Sequence, residues 1–139
     1  KISINSMFGK KKKGVAEDIN WKKLEKEAEK SDFFNGYKTT TQKHFKSTGR
    51  RPDFFGYNEH NSRDRIVADA KCVKDLNSSH VDILKDYKKP PGFAKKGRIF
   101  VAKDTHVPHD VRRYAKDSNV SIERLDVKRK KGFWDKVLD

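Results

Sequence analysis

The chain has 139 residues, the length of one ordinary domain, and its 34 Lys and Arg against 20 Asp and Glu give a formal net charge of +14. No apolar run approaches the roughly 18 residues that a membrane-spanning helix needs, and no signal-peptide pattern is visible. A single cysteine, Cys72, excludes a disulfide framework. These features predict a basic, intracellular and cytoplasmic protein that does not bind membranes.

Two clusters of basic residues flank the central part of the sequence. They are Lys10, Lys11, Lys12 and Lys13 near its start, and Lys128, Arg129, Lys130 and Lys131 near its end. Such clusters can neutralise nucleic-acid phosphates, which adds salt-dependent affinity but no sequence preference. We therefore predict DNA-binding arms at residues 1–14 and 128–139 around a domain at 15–127; the other interpretation is that the arms are solvated tails. Residues 1–6 precede the first Met and are set aside in predicting the fold.

The first predicted elements are a helix and a strand. Residues 15–31 form an amphipathic pattern in which Trp21, Leu24 and Ala28 share one stripe among Lys and Glu residues. An Asn-Gly turn signal follows, and residues 37–45 are rich in β-branched and aromatic side chains. This composition predicts a strand over 37–45.

Residues 52–73 are predicted to form two strands separated by a polar turn. The first strand covers 52–57, the turn covers 58–63, and the second strand covers 65–73. Side chains alternate between the faces of a strand, so the second strand has two predicted faces. One carries Ile66, Ala68, Ala70 and Cys72, and the other carries Arg65, Val67, Asp69, Lys71 and Val73.

The rest of the sequence alternates between helices and strands. Helices are predicted at 77–88, 108–118 and 133–138, and strands at 98–103 and 120–127. The complete order is α-β-β-β-α-β-α-β-α. Strands that alternate with crossover helices indicate an α/β domain of three layers around a mixed sheet.

Three charged residues on neighbouring predicted strands form the main candidate site. Asp53 follows a proline at the start of a short strand, and Asp69 and Lys71 share one face of the next. Two carboxylates on one face can bind a hard divalent cation, Mg²⁺ being the usual one, for which Mn²⁺ can substitute. A lysine beside them can deprotonate or orient water, or stabilise charge on a phosphate. These residues would suit metal-assisted phosphodiester hydrolysis.

The acid-x-Lys triplet is not specific by itself. It occurs at Asp69/Lys71, Asp86/Lys88 and Asp126/Lys128, which is no more often than chance predicts. The second triplet lies in a predicted helix, where residues two apart diverge, and the third has no Pro-Asp strand before it. Only the first has an acid at hairpin distance and a buried strand around it. The remaining alternative is a solvated Asp/Lys pair on an exposed sheet face.

The sequence resembles the PD-(D/E)xK nuclease superfamily, which has the restriction-endonuclease-like fold. The resemblance covers roughly residues 17–127 and depends on GRRPDFFG at 49–56 and RIVADAKCV at 65–73, followed by ILKDY at 83–87 and RIFVA at 98–102. It implies a three-layer α/β/α fold with a central mixed sheet, metal ligands Asp53 and Asp69, and a catalytic Lys71. Asp69 stands where Glu is commoner in the family, and an Asp reaches less far.

The resemblance also implies a further acid on the first helix. Glu25 is the best candidate, because it lies beside Trp21 and Ala28 at the edge of the buried stripe. Glu29 and Glu17 are the next candidates. The equally weighted alternative is that these acids pair with neighbouring lysines on the helix surface.

The sequence therefore predicts a Mg²⁺-dependent deoxyribonuclease, more in keeping with an endonuclease than an exonuclease, although RNA remains open as a substrate. Arg50 and Arg51, beside the Pro-Asp motif, are expected to contact nucleic acid together with the arms. The alternative function is a non-catalytic nucleic-acid-binding protein on the same fold. Because one domain supplies one hydrolytic centre, cleavage of both strands predicts a homodimer or a larger nucleic-acid-processing assembly.

Overall fold

The computed structural model describes residues 20–41, 52–87 and 94–130. Several predicted features lie outside these ranges. They are Glu17, the basic residues 10–13, Arg50, Arg51, Lys131 and the predicted helix at 133–138. Within the described ranges, no helix combines the length and the apolar character that crossing a membrane requires.

Helix α1 and a short 3-10 turn precede the first strand. Helix α1 spans Trp21–Ala28 and buries Leu24 and Ala28, as the stripe predicted. The 3-10 turn Asp32–Phe34 was not predicted; Ser31 caps it by accepting a hydrogen bond from the Phe33 N–H at 3.1 Å. Strand β1 spans Lys38–Thr41 and so begins one residue later than predicted, while residues 42–45 of its predicted range lie outside the described residues.

Strands β2 and β3 form an antiparallel hairpin. Strand β2 spans Phe54–Asn58 and β3 spans Asn61–Lys71, so only residues 59 and 60 remain in the turn. The predicted turn over 58–63 is therefore wrong at both ends. The Asn58 side chain accepts a hydrogen bond from the His60 N–H at 2.9 Å, which tightens the turn and lets the polar residues after it pair.

The remaining elements alternate as predicted, with small shifts at their ends. They are α2 at Ser78–Tyr87, β4 at Lys96–Val101, α3 at His109–Asp117 and β5 at Val120–Arg124. Asn119 joins α3 to β5 with a φ of 58°, a left-handed conformation that Asn tolerates better than most residues.

The five strands of the described residues form one mixed sheet in the order β1-β2-β3-β4-β5, which is also their order along the chain. The pairs β1–β2 and β2–β3 are antiparallel, whereas β3–β4 and β4–β5 are parallel. Helices α2 and α3 are parts of the crossovers that parallel neighbours require.

Two hydrophobic clusters cover the two faces of the sheet. One contains Val67 and side chains of α2 and α3, and the other contains Ile66, Ala68 and side chains of α1. The predicted faces of β3 are therefore confirmed, with Asp69 and Lys71 on the same side as Val67. The predicted α/β class, with three layers around a central mixed sheet, is also confirmed.

Candidate functional site

The start of β2 and the end of β3 bring Asp53 and Asp69 together. Phe54 pairs with Ala68, so one further step of the antiparallel register places Asp53 opposite Asp69. The Asp53 N–H donates to Asp69 Oδ1 at 2.9 Å, and the Ala70 N–H donates to Asp53 Oδ2 at 2.8 Å. Each carboxylate is thus fixed by the backbone of the other's strand.

Burial makes these carboxylates difficult to ionise. Burial raises the pKa of Asp53 to about 7, and the charge of Asp69 adds to this increase. Glu25 raises the pKa of Asp53 further, while the Ala70 N–H and the ammonium of Lys71 oppose the increase. At neutral pH, Asp53 is therefore balanced between its protonated and charged forms.

Asp69 is the more deeply buried of the pair, with only 3% of its surface exposed. Burial raises its pKa, and both Lys71 and the Asp53 N–H act in the opposite direction. Lys71 is half-buried and close enough to stabilise the charged forms of both acids. The structure therefore brings together the three residues that the sequence placed on this face.

Helix α1 brings Glu25 near the pair. Glu25 is half-buried, and its effect on the pKa of Asp53 places it within electrostatic reach of that carboxylate. Glu29 is exposed and directly follows the last residue of α1. Of the acids proposed from the first helix, Glu25 is the one that the described geometry associates with Asp53.

His80, in the first turn of α2, also lies near Lys71. Its Nδ1 accepts a hydrogen bond from the Asn77 N–H at 3.0 Å, which places the proton of the neutral ring on Nε2. Burial lowers the pKa of His80, and the charge of Lys71 lowers it further. The Ser79 N–H donates to the Asn77 side chain, so Asn77 caps this end of the helix. No sequence signal connected His80 with Lys71.

Carboxylate oxygens of Asp53, Asp69 and Glu25 lie near one another at this site. Among the residues that the structure describes, no group of three or more His, Cys, Asp or Glu side chains is arranged to bind one metal ion. Asp53 and Asp69 are joined by hydrogen bonds to each other's strands, whereas Glu25 approaches from another layer. A cation at this site would therefore take its protein ligands mainly from the aspartates.

The predicted arm residues differ in their surroundings. Lys128 and Lys130 are exposed, but the Arg129 side chain is only 12% exposed and its Nε lies 3.5 Å from Asp104 Oδ2. The Arg129 N–H also donates to Asp104 Oδ1 at 2.8 Å. Arg129 is thus joined to the loop after β4 and differs from a solvated arm residue.

Comparison with known proteins gives one distant likeness. No protein-family model matches the sequence, and a search of curated proteins gives no match. A solved chain from the "Structure of EndoMS-dsDNA2 complex" is 16% identical, with a TM-score of 0.47, over 75% of this chain and 42% of that chain. The match therefore spans less than half the length of the solved chain. A likeness this distant assigns neither activity nor site residues, which depend on the geometry described above.

Proposed function

We propose that this protein is a Mg²⁺-dependent nuclease that hydrolyses DNA phosphodiester bonds, acting as an endonuclease. The observation that carries the proposal is the pairing of Asp53 and Asp69, each hydrogen-bonded to the backbone of the other's strand, beside Lys71. The PD-(D/E)xK resemblance of the sequence supports the same interpretation.

The chemistry of the aspartates fits a hard divalent cation. Burying two carboxylates next to each other is unfavourable, as the raised pKa values of both acids indicate, and a cation between them would offset that repulsion. Asp53 and Asp69 would hold Mg²⁺, for which Mn²⁺ can substitute. The bound metal would supply Lewis acidity towards a phosphate oxygen and lower the pKa of a bound water.

Lys71 would act on the attacking water or on the phosphate. Its ammonium lies on the face of β3 that carries Asp69, where it can orient the water and stabilise charge that develops on the phosphate oxygens. Glu25 would contribute a third carboxylate from α1. The net charge of +14 supports a polyanionic substrate, since each phosphate contact with Lys or Arg releases counterions.

Cleavage by aspartate and lysine variants tests the proposal. We expect Asp69→Asn and Lys71→Ala to reduce Mg²⁺-dependent cleavage of duplex DNA by about 100-fold or more, because each removes a group that contacts the reacting atoms or their metal. The measurement is the single-turnover cleavage rate at saturating DNA.

Asp126→Asn provides the matched control. Asp126 begins the acid-x-Lys triplet outside the site, is exposed, and forms an ion pair with Lys103 at 3.4 Å. We expect this variant to cleave at the wild-type rate. Equal rates in all the variants would rule out the assigned site.

A non-catalytic nucleic-acid-binding protein is the second candidate. The observation that favours it is that, in the described part of the chain, no three candidate ligands converge on one metal position. Titration with Mn²⁺, followed by electron paramagnetic resonance, separates the two functions. The nuclease requires Mn²⁺ binding that Asp53→Asn and Asp69→Asn abolish, whereas DNA binding without Mn²⁺ binding would support the alternative.

A further inference from the structure

A basic cavity lies at the end of the sheet where β4 and β5 begin. It has a volume of about 370 Å³, and residues of β4, α3, β5 and the 3-10 turn line it. Four cationic side chains contribute to this lining: Lys96, Arg98, Arg112 and Lys116. We refer to it as the basic cavity.

The β4 side of the basic cavity is held in a fixed geometry. Arg98 Nη1 lies 2.5 Å from Glu123 Oε1, and its Nε donates to Ser121 Oγ at 2.8 Å. The Arg98 guanidinium also lies 4.6 Å from the ring centre of Phe33, and the Lys96 ammonium lies 5.5 Å from the same ring. Contacts of this kind orient cationic groups before any ligand binds.

The α3 side supplies two more cations. Arg112 and Lys116 are one helical turn apart, so they project from the same side of α3. Both are exposed, and within the described ranges neither forms an ion pair. Glu123 forms an ion pair with Arg98 and so neutralises one of the four cationic side chains. The other three leave the basic cavity with an excess of positive charge.

The basic cavity is separate from the candidate metal site. Lys71 pairs with Val101 at the end of β4, whereas the basic cavity includes Lys96 at the beginning of that strand. Five residues of extended chain, or roughly 16 Å, separate the two positions. One phosphate group cannot occupy both.

We propose that the basic cavity binds a nucleic-acid backbone phosphate other than the one that is hydrolysed. This inference rests on the proposed function and adds a second, positioning contact to it. Lys and Arg side chains recognise phosphate by charge and hydrogen bonding. Phe33 is only 8% exposed and its ring is already covered by Lys96 and Arg98, so the described lining of the cavity offers no aromatic face for a base. The backbone, rather than a nucleoside, is therefore the chemical match.

A pair of neighbouring arginines provides a sharp test. Arg112 lines the basic cavity, while Arg113 is exposed on the same helix, makes a 3.4 Å contact with His109, and does not line the cavity. Arg112→Gln and Arg113→Gln remove the same charge from adjacent positions. The measurement is the affinity for a fluorescent DNA duplex, by anisotropy, across a salt series in EDTA, so that no hydrolysis is required.

We expect Arg112→Gln to weaken binding and to flatten the dependence of log K on log salt by about 0.9, as removal of one interaction with phosphate requires. Adding Lys116→Gln should increase both effects, and Arg113→Gln should leave the slope unchanged. If wild type binds the duplex and the two arginine variants behave alike, the basic cavity does not contact phosphate, but the proposed function stands. If wild type does not bind the duplex, both proposals are wrong.

Inorganic phosphate distinguishes a backbone phosphate from a free anion. The readout is the amide resonances of Gly97 and Ser121 in the nuclear magnetic resonance spectrum. We expect a short duplex to shift these resonances in wild type and to shift them less, at the same duplex concentration, in Arg112→Gln. Shifts with inorganic phosphate but not with the duplex would make the basic cavity a free-anion site and overturn the nucleic-acid assignment.

Discussion

Asp53 and Asp69 show how two acids can be buried side by side with their charges partly satisfied by the backbone. Each accepts a hydrogen bond from an N–H group of the opposite strand, at 2.8 Å and 2.9 Å respectively. Those bonds favour the charged forms, but burial outweighs them and the pKa values rise. The stability of the fold is therefore linked to protonation at this site, and a bound divalent cation would change that linkage.

The raised pKa of Asp53 predicts how stability depends on pH in the absence of divalent metal. Asp53 changes from an ordinary value of 3.8 to about 7 on folding. Between about pH 4 and pH 7 the unfolded chain loses this proton while the folded chain keeps it, so the free energy of unfolding falls as pH rises. The contribution of Asp53 to the free energy of unfolding is therefore fully present below pH 4 and is lost by about pH 7. Urea denaturation in EDTA across this range measures it.

Asp53→Asn is the informative variant, because its side chain cannot ionise. We expect its stability to fall less than that of wild type over the same pH range, because only the raised pKa of Asp69 still contributes. Asp126→Asn, at an exposed acid, should follow wild type. If the free energy of unfolding of wild type and of Asp53→Asn changed with pH in the same way, Asp53 would ionise at its ordinary pKa.

At the scale of the elements, Gly56 lets β2 approach its neighbours. A Cβ there would lie 2.8 Å from Ile66 Cγ1 and 3.2 Å from Tyr37 Cβ, so an added methyl group requires the core to shift. At Gly97 the nearest atom, Leu84 Cδ1, would be 3.5 Å away, which is ordinary contact. We expect Gly56→Ala to lower the free energy of unfolding by about 1–3 kcal/mol.

Gly97→Ala is the matched control for this prediction, and we expect a smaller loss from it. Thermal denaturation of both variants is the measurement. Because β2 carries Asp53 towards β3, Gly56→Ala should also reduce Mn²⁺ binding. Identical melting curves for Gly56→Ala and wild type would show that Ile66 can move aside without loss of packing.

The sequence predicted those features of the elements that depend on periodicity. The alternation around Val67 placed Asp69 and Lys71 on one face, because period two is a direct property of a strand. The start of β3 was missed, since Asn61 and Arg63 are polar and exposed and show no alternation of apolar and polar side chains. The 3-10 turn at Asp32–Phe34 is too short to show a period.

Contacts between distant segments were beyond prediction from one sequence. His80 approaches Lys71 only because the loop after β3 returns α2 to the sheet, which no local pattern in the sequence indicates. The basic cavity combines residues from β4 and from the end of α3, which no local pattern connects. In contrast, Asp53 and Asp69 were found because a hairpin fixes the register of neighbouring strands.

At the scale of the whole molecule, the basic arms should strengthen binding without choosing a sequence. Replacing the lysines at 10–13, or Lys128, Lys130 and Lys131, by Gln should weaken binding to all duplexes alike. The slope of log K against log salt should flatten by about 0.9 for each phosphate that is no longer neutralised. Binding to two unrelated duplexes across a salt series is the measurement. An unchanged slope would identify the arms as solvated tails.

Arg129→Gln is the control within the second arm. Since Arg129 contacts Asp104 and its side chain is only 12% exposed, we expect this variant to lower the melting temperature and to change the salt slope less than the lysine variants do. A large change of slope with an unchanged melting temperature would instead place Arg129 among the DNA contacts.

The agreement between strand order in space and strand order along the chain has a consequence for how the protein can fold. From β2 onwards, each of these five strands pairs with the one just before it, so none of the five has to insert between two that are already paired. The entropy lost in closing each loop is limited by the short stretch of chain between successive strands. Folding can therefore add each new strand to an edge that is already formed, and the hairpin that joins Asp53 to Asp69 can pair before β4 is added to the sheet.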